Sequence, residues 1–311
     1  MRAAVLHEYG VPQADEFPEP TAVARGQALV DVLAAGVNPV DVTISAGRFY
    51  AGKPPLPSVA GREGVGVLDG ARVYFDAPIA PYGSMAERAL IDPASTFSVP
   101  DGVSDGVAVA LGISGLAAWL ALTWRAELQA GEHVLVLGAS GVLGQIAVQA
   151  AKLLGAARVV AAARSQQALE RCLELGADAT VRLGEPDDLA GAFSEAAAGR
   201  IDVVLDPLWG EPLVAALGAA SFGARVVQIG ASAAAEATIP SALIRGKMLV
   251  LMGHTNFAAP PQVKGEAYAR LAQAAAAGRI DVPVDALALE QVQEAWRRLA
   301  AGSHAKIVLT P

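Results

Sequence analysis

The sequence predicts an α/β protein in which a doubly wound parallel sheet is joined to a β-rich domain. Three observations carry this. Before about Pro100, apolar and polar residues alternate in short runs between Gly, Pro and Asp, the period-two pattern of half-buried strands. From about Val103 the chain turns helical, then alternates apolar β-branched runs with helix-length segments, as parallel sheets with crossover helices do. At 311 residues, 53% hydrophobic and 17% charged, the chain is long enough for two cores and too apolar for disorder.

In chain order, AAVLHEY, QALVDVLAAGV, GVGVLDGARVYF and SMAERALI are the first strands. The apolar stretch 107–122 is interrupted by Gly112, Ser114 and Gly115. It is shorter than the ~20 residues that span a bilayer and is expected as a buried helix between domains. HVLVLG, ARVVAAA, ATVRL, IDVVLD, ARVVQIG and KMLVLMG are six strands of one parallel sheet, with helices near 145–154, 166–175, 189–197 and 211–220. Two helices, 264–277 and 289–301, and a last strand AKIVL follow; with the six-stranded sheet already complete, this tail is expected to return to the first domain through FAAPPQ. The expected domains are therefore 1–120, 121–255 and the return 256–311.

The segment HVLVLGASGVLGQIAVQAAKLLGA (133–156) writes strand, glycine turn and helix in one line. Such a turn holds a dinucleotide pyrophosphate. Gly141 lets the backbone approach a phosphate, Gly144 lets the helix pack on the strand, and the helix from about Val142 aims its N–H groups and positive dipole end at the anion. Ala139 stands where the common fingerprint opens with glycine. The residues expected to hold the phosphate are thus Gly138, Ala139, Ser140, Gly141, Val142, Leu143 and Gly144; the alternative is a bare structural strand-to-helix turn.

The second strand indicates which dinucleotide. NAD sites usually carry an acidic residue at its end to bond the ribose 2′-hydroxyl. Here alanines fill that place, no carboxylate appears before Glu170, and Arg164 and Ser165 follow at once. A guanidinium and a hydroxyl suit a 2′-phosphate, so NADPH is expected over NADH. The alternative for Arg164 is an exposed side chain at a helix start.

A net charge of −8 with no basic face argues against nucleic acid as a partner. A single cysteine, Cys172, excludes an internal disulfide and is compatible with a reducing cytosol. MRAAVLHEYG lacks an apolar signal core, so a cytoplasmic protein is expected.

Seven pieces, in order along nearly the whole chain, then carry a family resemblance: GVNPVD (36–41), GREGVG (61–66), GISGLAAW before and including Trp119, GEHVLVLGASGVLG (131–144), ELGAD (174–178), IDVVLD (201–206) and AKIVL (305–309). The chain resembles the zinc-free quinone oxidoreductase branch of the medium-chain dehydrogenase/reductase superfamily. The resemblance implies a GroES-like β-barrel domain beside a Rossmann domain, with the active site in the cleft between them. Zinc enzymes of the superfamily have a ligand cysteine and a ligand histidine at the positions of Asn38 and Arg62. Here no cysteine precedes Cys172, and His7, His133, His254 and His304 show no ligand spacing, so no metal site is expected.

By resemblance, Asn38 lies near the nicotinamide and is expected to donate its amide to the acceptor oxygen; the alternative is an Asn-Pro turn. Arg48 and Tyr50 are expected to line the acceptor pocket, Tyr50 equally well as a packing residue. Thr43, Ile229, Gly230 and Gly253 are expected beside the cofactor. Three departures stand out: Thr43 replaces a frequent tyrosine, Ala117 a frequent threonine, and the GVGVLDGARVYF connection is short. The acceptor pocket is therefore expected to differ in shape and polarity from that of relatives. The resulting reading is an NADPH-dependent, zinc-independent reductase of a quinone or activated C=C bond. Its rivals are an enoyl or 2-alkenal reductase and an NADPH-binding sensor or structural protein with little turnover. The apolar edge strand KMLVLMG implies a homodimer, unless a helix covers it.

Overall fold

In AAVLHEY the inward residues are Ala3 to Leu6, all buried. The strand they form, β1 (Arg2–Leu6), pairs antiparallel with β2 (Gln13–Glu16) on one side and β4 (Ser58–Val59) on the other. The remaining N-terminal strands are β3 (Ala28–Gly36), β5 (Glu63–Leu68), β6 (Ala71–Asp76), β7 (Arg88–Ile91) and β8 (Thr96–Ser98). Together with the C-terminal β15 (Val284–Ala288) and β16 (Lys306–Thr310) they build a second sheet in the order β15-β16-β3-β5-β6-β8, with β7 pairing β3. The AKIVL strand thus returns to the first sheet, antiparallel to β3. Trp296, Phe75, Ile307 and Met85 fill the core on this sheet. A short helix, α1 (Pro39–Ser45), follows β3 with Pro39 at its first position, where the missing N–H costs nothing.

The computed structural model describes residues 1–21 and 24–311. Two units result: Met1–Ile113 with Pro261–Gly278 and Val282–Pro311, and Ser114–Pro260 with Arg279–Asp281. Where crossings near 120 and 255 were expected, the chain changes unit at 113/114 and 260/261. Arg279–Asp281 joins the second unit because Gln149 bonds both the N–H and the carbonyl of Asp281 (2.8 and 2.9 Å).

The apolar stretch is longer than its sequence suggested. Helix runs from Asp105 to Arg125, through α2 (Asp105–Ala110), α3 (Leu116–Leu120) and wider π turns after each, and bends at Gly112. By length and composition it is sufficient to cross a membrane, but 72% of its 18-residue apolar window is buried inside the protein, as in a core helix.

In the second unit the six strands are β9 (His133–Leu137), β10 (Arg158–Ala163), β11 (Ala179–Arg182), β12 (Val203–Asp206), β13 (Arg225–Gln228) and β14 (Val250–Gly253). All pairs are parallel, in the order β11-β10-β9-β12-β13-β14. This is the doubly wound order of a dinucleotide-binding sheet, with its switch point between β9 and β12. The crossovers are α4 (Val142–Leu153), α5 (Gln166–Glu174), α6 (Leu189–Ala196), α7 (Glu211–Ala219) and α8 (Ser241–Lys247). Near-continuous apolar runs occupy the central strands because helices cover both faces. KMLVLMG begins its strand only at Val250: Lys247 closes α8, and Met248 caps it in the left-handed conformation (φ 51°). The last helices, α9 (Pro261–Ala276) and α10 (Val292–Ala300), belong to the first unit.

Candidate active site

The glycine turn leaves the carboxyl end of β9, the first of the two strands at the switch point. Gly138 takes φ +63°, a left-handed conformation that costs glycine little. A Cβ on Gly144 would overlap the Gly138 carbonyl oxygen and stand 2.5 Å from Ala139 Cα, so only glycine lets α4 pack this closely. At Gly141 a Cβ would meet only the Gly138 oxygen, at 3.7 Å, leaving open space before the helix. Gly141 caps α4 without a side-chain hydrogen bond, so the first N–H groups of this twelve-residue helix have no capping side chain. Ala139 differs from expectation: its side chain is buried, its N–H donates to the Ala162 carbonyl (3.0 Å), and its carbonyl accepts from the Cys172 thiol (3.4 Å). Its contribution is small size. Burial pushes the Cys172 thiol up to about 11, which leaves it an inert packing group.

Arg164 follows β10 and is exposed; Ser165 caps α5, its hydroxyl accepting from the Ala168 N–H (3.3 Å). Sequence reasoning missed Arg182, which ends β11 in register with Ala163 and donates to the Arg164 carbonyl (3.1 Å) while pairing with Glu185 (2.6 Å). It also missed two acceptors on the other half of the sheet. Asp206, fully buried at the end of β12, accepts from the N–H groups of Leu208 and Trp209 through Oδ1 (2.9 and 2.8 Å), and its Oδ2 has no partner. His254 follows β14, donates through Nε2 to Asn256 Oδ1 (2.9 Å), and keeps a buried, unpartnered Nδ1. Burial lowers its pKa and holds the ring neutral. A carboxylate ending an otherwise apolar strand, as in IDVVLD, was the available signal for Asp206. Ile229 and Gly230 sit between these groups, with the Ile229 N–H on the Asp206 carbonyl (2.8 Å). Gly253 offers its carbonyl to Arg125 Nε (3.1 Å).

In the first unit, Asn38 is committed elsewhere than expected. It is 2% exposed; its Nδ2 donates to Asp41 Oδ2 (3.1 Å) and Glu63 Oε1 (2.9 Å), and its Oδ1 accepts from Lys306 Nζ (2.6 Å). Both amide hydrogens are therefore used inside the unit, and donation to an acceptor oxygen would break one of these bonds. Glu63 is fully buried and fully satisfied: Lys306 (2.6 Å) and Asn38 bond Oε1, while the Tyr74 hydroxyl (2.9 Å) and the Ile113 N–H (2.6 Å) bond Oε2. Thr43 donates back to the Pro39 carbonyl (3.2 Å). Arg48 is exposed, and Tyr50, 76% exposed, lies against Phe49 with ring centroids 4.4 Å apart. None of Asn38, Thr43, Arg48 and Tyr50 lines the cavity found in this unit, whose polar residues are Asp41, Ser45, Ser58 and Arg62. Asp41 was absent from the expected site; burial pushes its carboxyl up to about 6.

Residues 24–74 match the alcohol dehydrogenase GroES-like domain, and residues 142–264 match the zinc-binding dehydrogenase family. The quinone oxidoreductase of Pongo abelii is 31% identical over 250 residues, which cover 76% of this chain and 75% of that protein. The chain belongs to the quinone oxidoreductase branch of the medium-chain dehydrogenase/reductase superfamily. The quinone oxidoreductase-like protein 2 of Mus musculus is 29% identical over 263 residues, 81% of this chain and 74% of its own length. Among solved structures, the quinone oxidoreductase of Thermus thermophilus, also solved in complex with NADPH, superimposes with a TM-score of 0.83 at 30% identity over the full length of both chains. A mycobacterial quinone oxidoreductase at 24% identity and a TM-score of 0.88 shows the same fold.

The two groups that the superfamily implies fare differently. A zinc ion does not fit. Asn38 and Arg62 occupy the ligand positions, the Lys306 ammonium already bonds Asn38, and the described residues hold no cluster of three or more His, Cys, Asp or Glu that could hold a metal. A dinucleotide fits. The turn has no side chain over the start of α4, the packing forbids a Cβ at Gly144, and Asp206 Oδ2 and His254 Nδ1 are orphaned acceptors on the half of the sheet expected to take the nicotinamide.

Proposed function

We propose that this chain is a zinc-independent reductase that passes hydride from NADPH to a quinone or another acceptor already electrophilic enough to need no Lewis acid. The observation that carries it is the glycine turn opening α4 at the switch point of a sheet in dinucleotide-binding order. The Thermus relative solved with NADPH supports the choice of cofactor. When bound, NADPH supplies the hydride. The N–H groups opening α4 hold the pyrophosphate. Asp206 Oδ2 is available to a ribose hydroxyl and His254 Nδ1 to the carboxamide N–H of the nicotinamide. The test is NADPH oxidation with 1,4-benzoquinone, 9,10-phenanthrenequinone, crotonyl thioesters and 2-alkenals, with and without a chelator. Activity on quinones that survives chelation is expected. Turnover of the alkenals alone would replace the quinone by an enoyl acceptor, and cofactor binding without any turnover would leave a binding protein.

Arg164, Ser165 and, from the neighbouring strand, Arg182 are the groups we assign to the 2′-phosphate. Ser165 accepts from Ala168 and so keeps its own hydrogen for a phosphate oxygen. Charge-assisted bonds of ~1.5–3 kcal/mol imply roughly ten- to hundred-fold preference for NADPH over NADH. Arg164→Ala is expected to raise the KM for NADPH far more than that for NADH. Equal use of both cofactors by the unaltered protein would sink the assignment.

We also propose a homodimer through β14. This strand ends the sheet; Val250, its first residue, is 46% exposed, and Met248, two residues earlier, is 63% exposed. Light scattering is expected to give twice the 31.6 kDa chain mass; a monomer mass independent of concentration would remove the dimer.

A further inference from the structure

β11 closes at Arg182, and the chain then turns at Gly184, which takes φ +90° in the left-handed region. The turn brings Glu185 back onto Arg182, whose Nη1 donates to Glu185 Oε1 (2.6 Å). Arg182 does not depend on this contact for its place. It is in register with Ala163 at the end of β10, and its Nε donates to the Arg164 carbonyl (3.1 Å). Among the described residues, neither the Arg164 guanidinium nor Nη2 of Arg182 has a partner. The acidic groups on the flanking segments are occupied or open to solvent: Asp188 caps α6 through the Gly191 N–H (2.8 Å), Glu170 on α5 accepts from Gln166 (3.4 Å), and Asp187 is exposed. Glu185 alone of these contacts either arginine. The Arg182 and Glu185 side chains are 44% and 59% exposed, and an exposed ion pair is weak enough to open for a stronger anion. A phosphate monoester, with close to two negative charges at neutral pH and three acceptor oxygens, is such an anion.

We propose that Glu185 is a specificity-determining residue: it competes with the 2′-phosphate of NADPH for the Arg182 guanidinium, so that its charge sets a ceiling on the preference for NADPH over NADH. This rests on the assignment of Arg164, Ser165 and Arg182 to the 2′-phosphate, and it names the group that opposes them. Because Arg182 is tethered to the Arg164 carbonyl, removal of the Glu185 charge frees Nη1 without releasing the guanidinium from the end of β10. NADH carries a hydroxyl in place of that phosphate, so it has no anion to set against Glu185.

The test is fluorescence titration of the full chain with NADPH and with NADH, at low and at high salt. Glu185→Gln is expected to tighten NADPH about three- to ten-fold, the scale of an exposed ion pair together with the repulsion it removes, and to leave NADH unchanged. The gain should shrink at high salt, which screens exposed charges. In an Arg182→Ala background the same substitution should gain less, because no guanidinium is left to release. Unchanged or weaker NADPH binding in Glu185→Gln, or equal tightening of NADH, would overturn the proposal and leave the pair a surface tie or an orienting contact. If Arg164→Ala and Arg182→Ala each weaken NADPH alone while Glu185→Gln gains nothing, the 2′-phosphate assignment stands and the role of Glu185 falls. If neither arginine variant separates NADPH from NADH, the assignment itself falls and takes the proposal with it.

Discussion

Lys306→Met is expected to destabilise the protein by about 3–5 kcal/mol, the cost of leaving one member of a buried ion pair uncompensated. Lys306 and Glu63 are 2% and 0% exposed and bonded at 2.6 Å. Methionine keeps the apolar stem but strips the donor from both Glu63 Oε1 and Asn38 Oδ1. Glu63 retains the Tyr74 hydroxyl, the Ile113 N–H and the Asn38 amide, yet its charge has no counterion in contact. Urea unfolding followed by circular dichroism measures the loss. Adding Glu63→Gln to Lys306→Met should recover part of it, because the orphaned charge is then gone. A single-variant loss below about 1 kcal/mol would show that the pair is not what holds β5, β16 and the turn before α1 together.

Gly144→Val should weaken NADPH binding at least about 100-fold while leaving the first unit folded. Even the Cβ alone would stand 2.5 and 2.8 Å from the Ala139 Cα and carbonyl carbon, and the helix must withdraw to admit it. Withdrawal carries the N–H groups opening α4 away from the pyrophosphate, and two charge-assisted bonds lost at ~1.5 kcal/mol each give that factor. Fluorescence titration with NADPH measures it, with circular dichroism checking that the sheet persists. Unchanged affinity would mean that the turn does not hold the cofactor.

The second unit was legible almost element by element. Its six strands lie where the apolar runs lie, and the helix expected at 166–175 is found at Gln166–Glu174. Strand, turn and helix there are near neighbours in sequence, and a glycine needed for close approach leaves a mark at a fixed spacing. Misplaced ends have local causes: α8 absorbs Lys247 from the strand KMLVLMG, and the glycines in the apolar stretch bend a helix instead of ending it. β15 went unread because VDALA is short and carries an acidic residue; it is held as a strand by its parallel partner β16.

The first unit's chemistry was legible only in its parts. GVNPVD, GREGVG and AKIVL were each conspicuous, but the sequence does not say that Lys306 reaches back 268 residues to Asn38 and 243 to Glu63. Once it does, the Asn38 amide faces a carboxylate and an ammonium, and Asp41 becomes the group with an oxygen to spare. The sequence by itself determined the order of the strands in the chain, the glycine turn and the absence of an acidic residue after β10, because each depends on residues within one or two turns of chain. Only the tertiary structure decided which polar side chains are consumed and which are left open. A buried polar group takes whatever partner the fold brings within about 3 Å, and here the partners come from opposite ends of the chain.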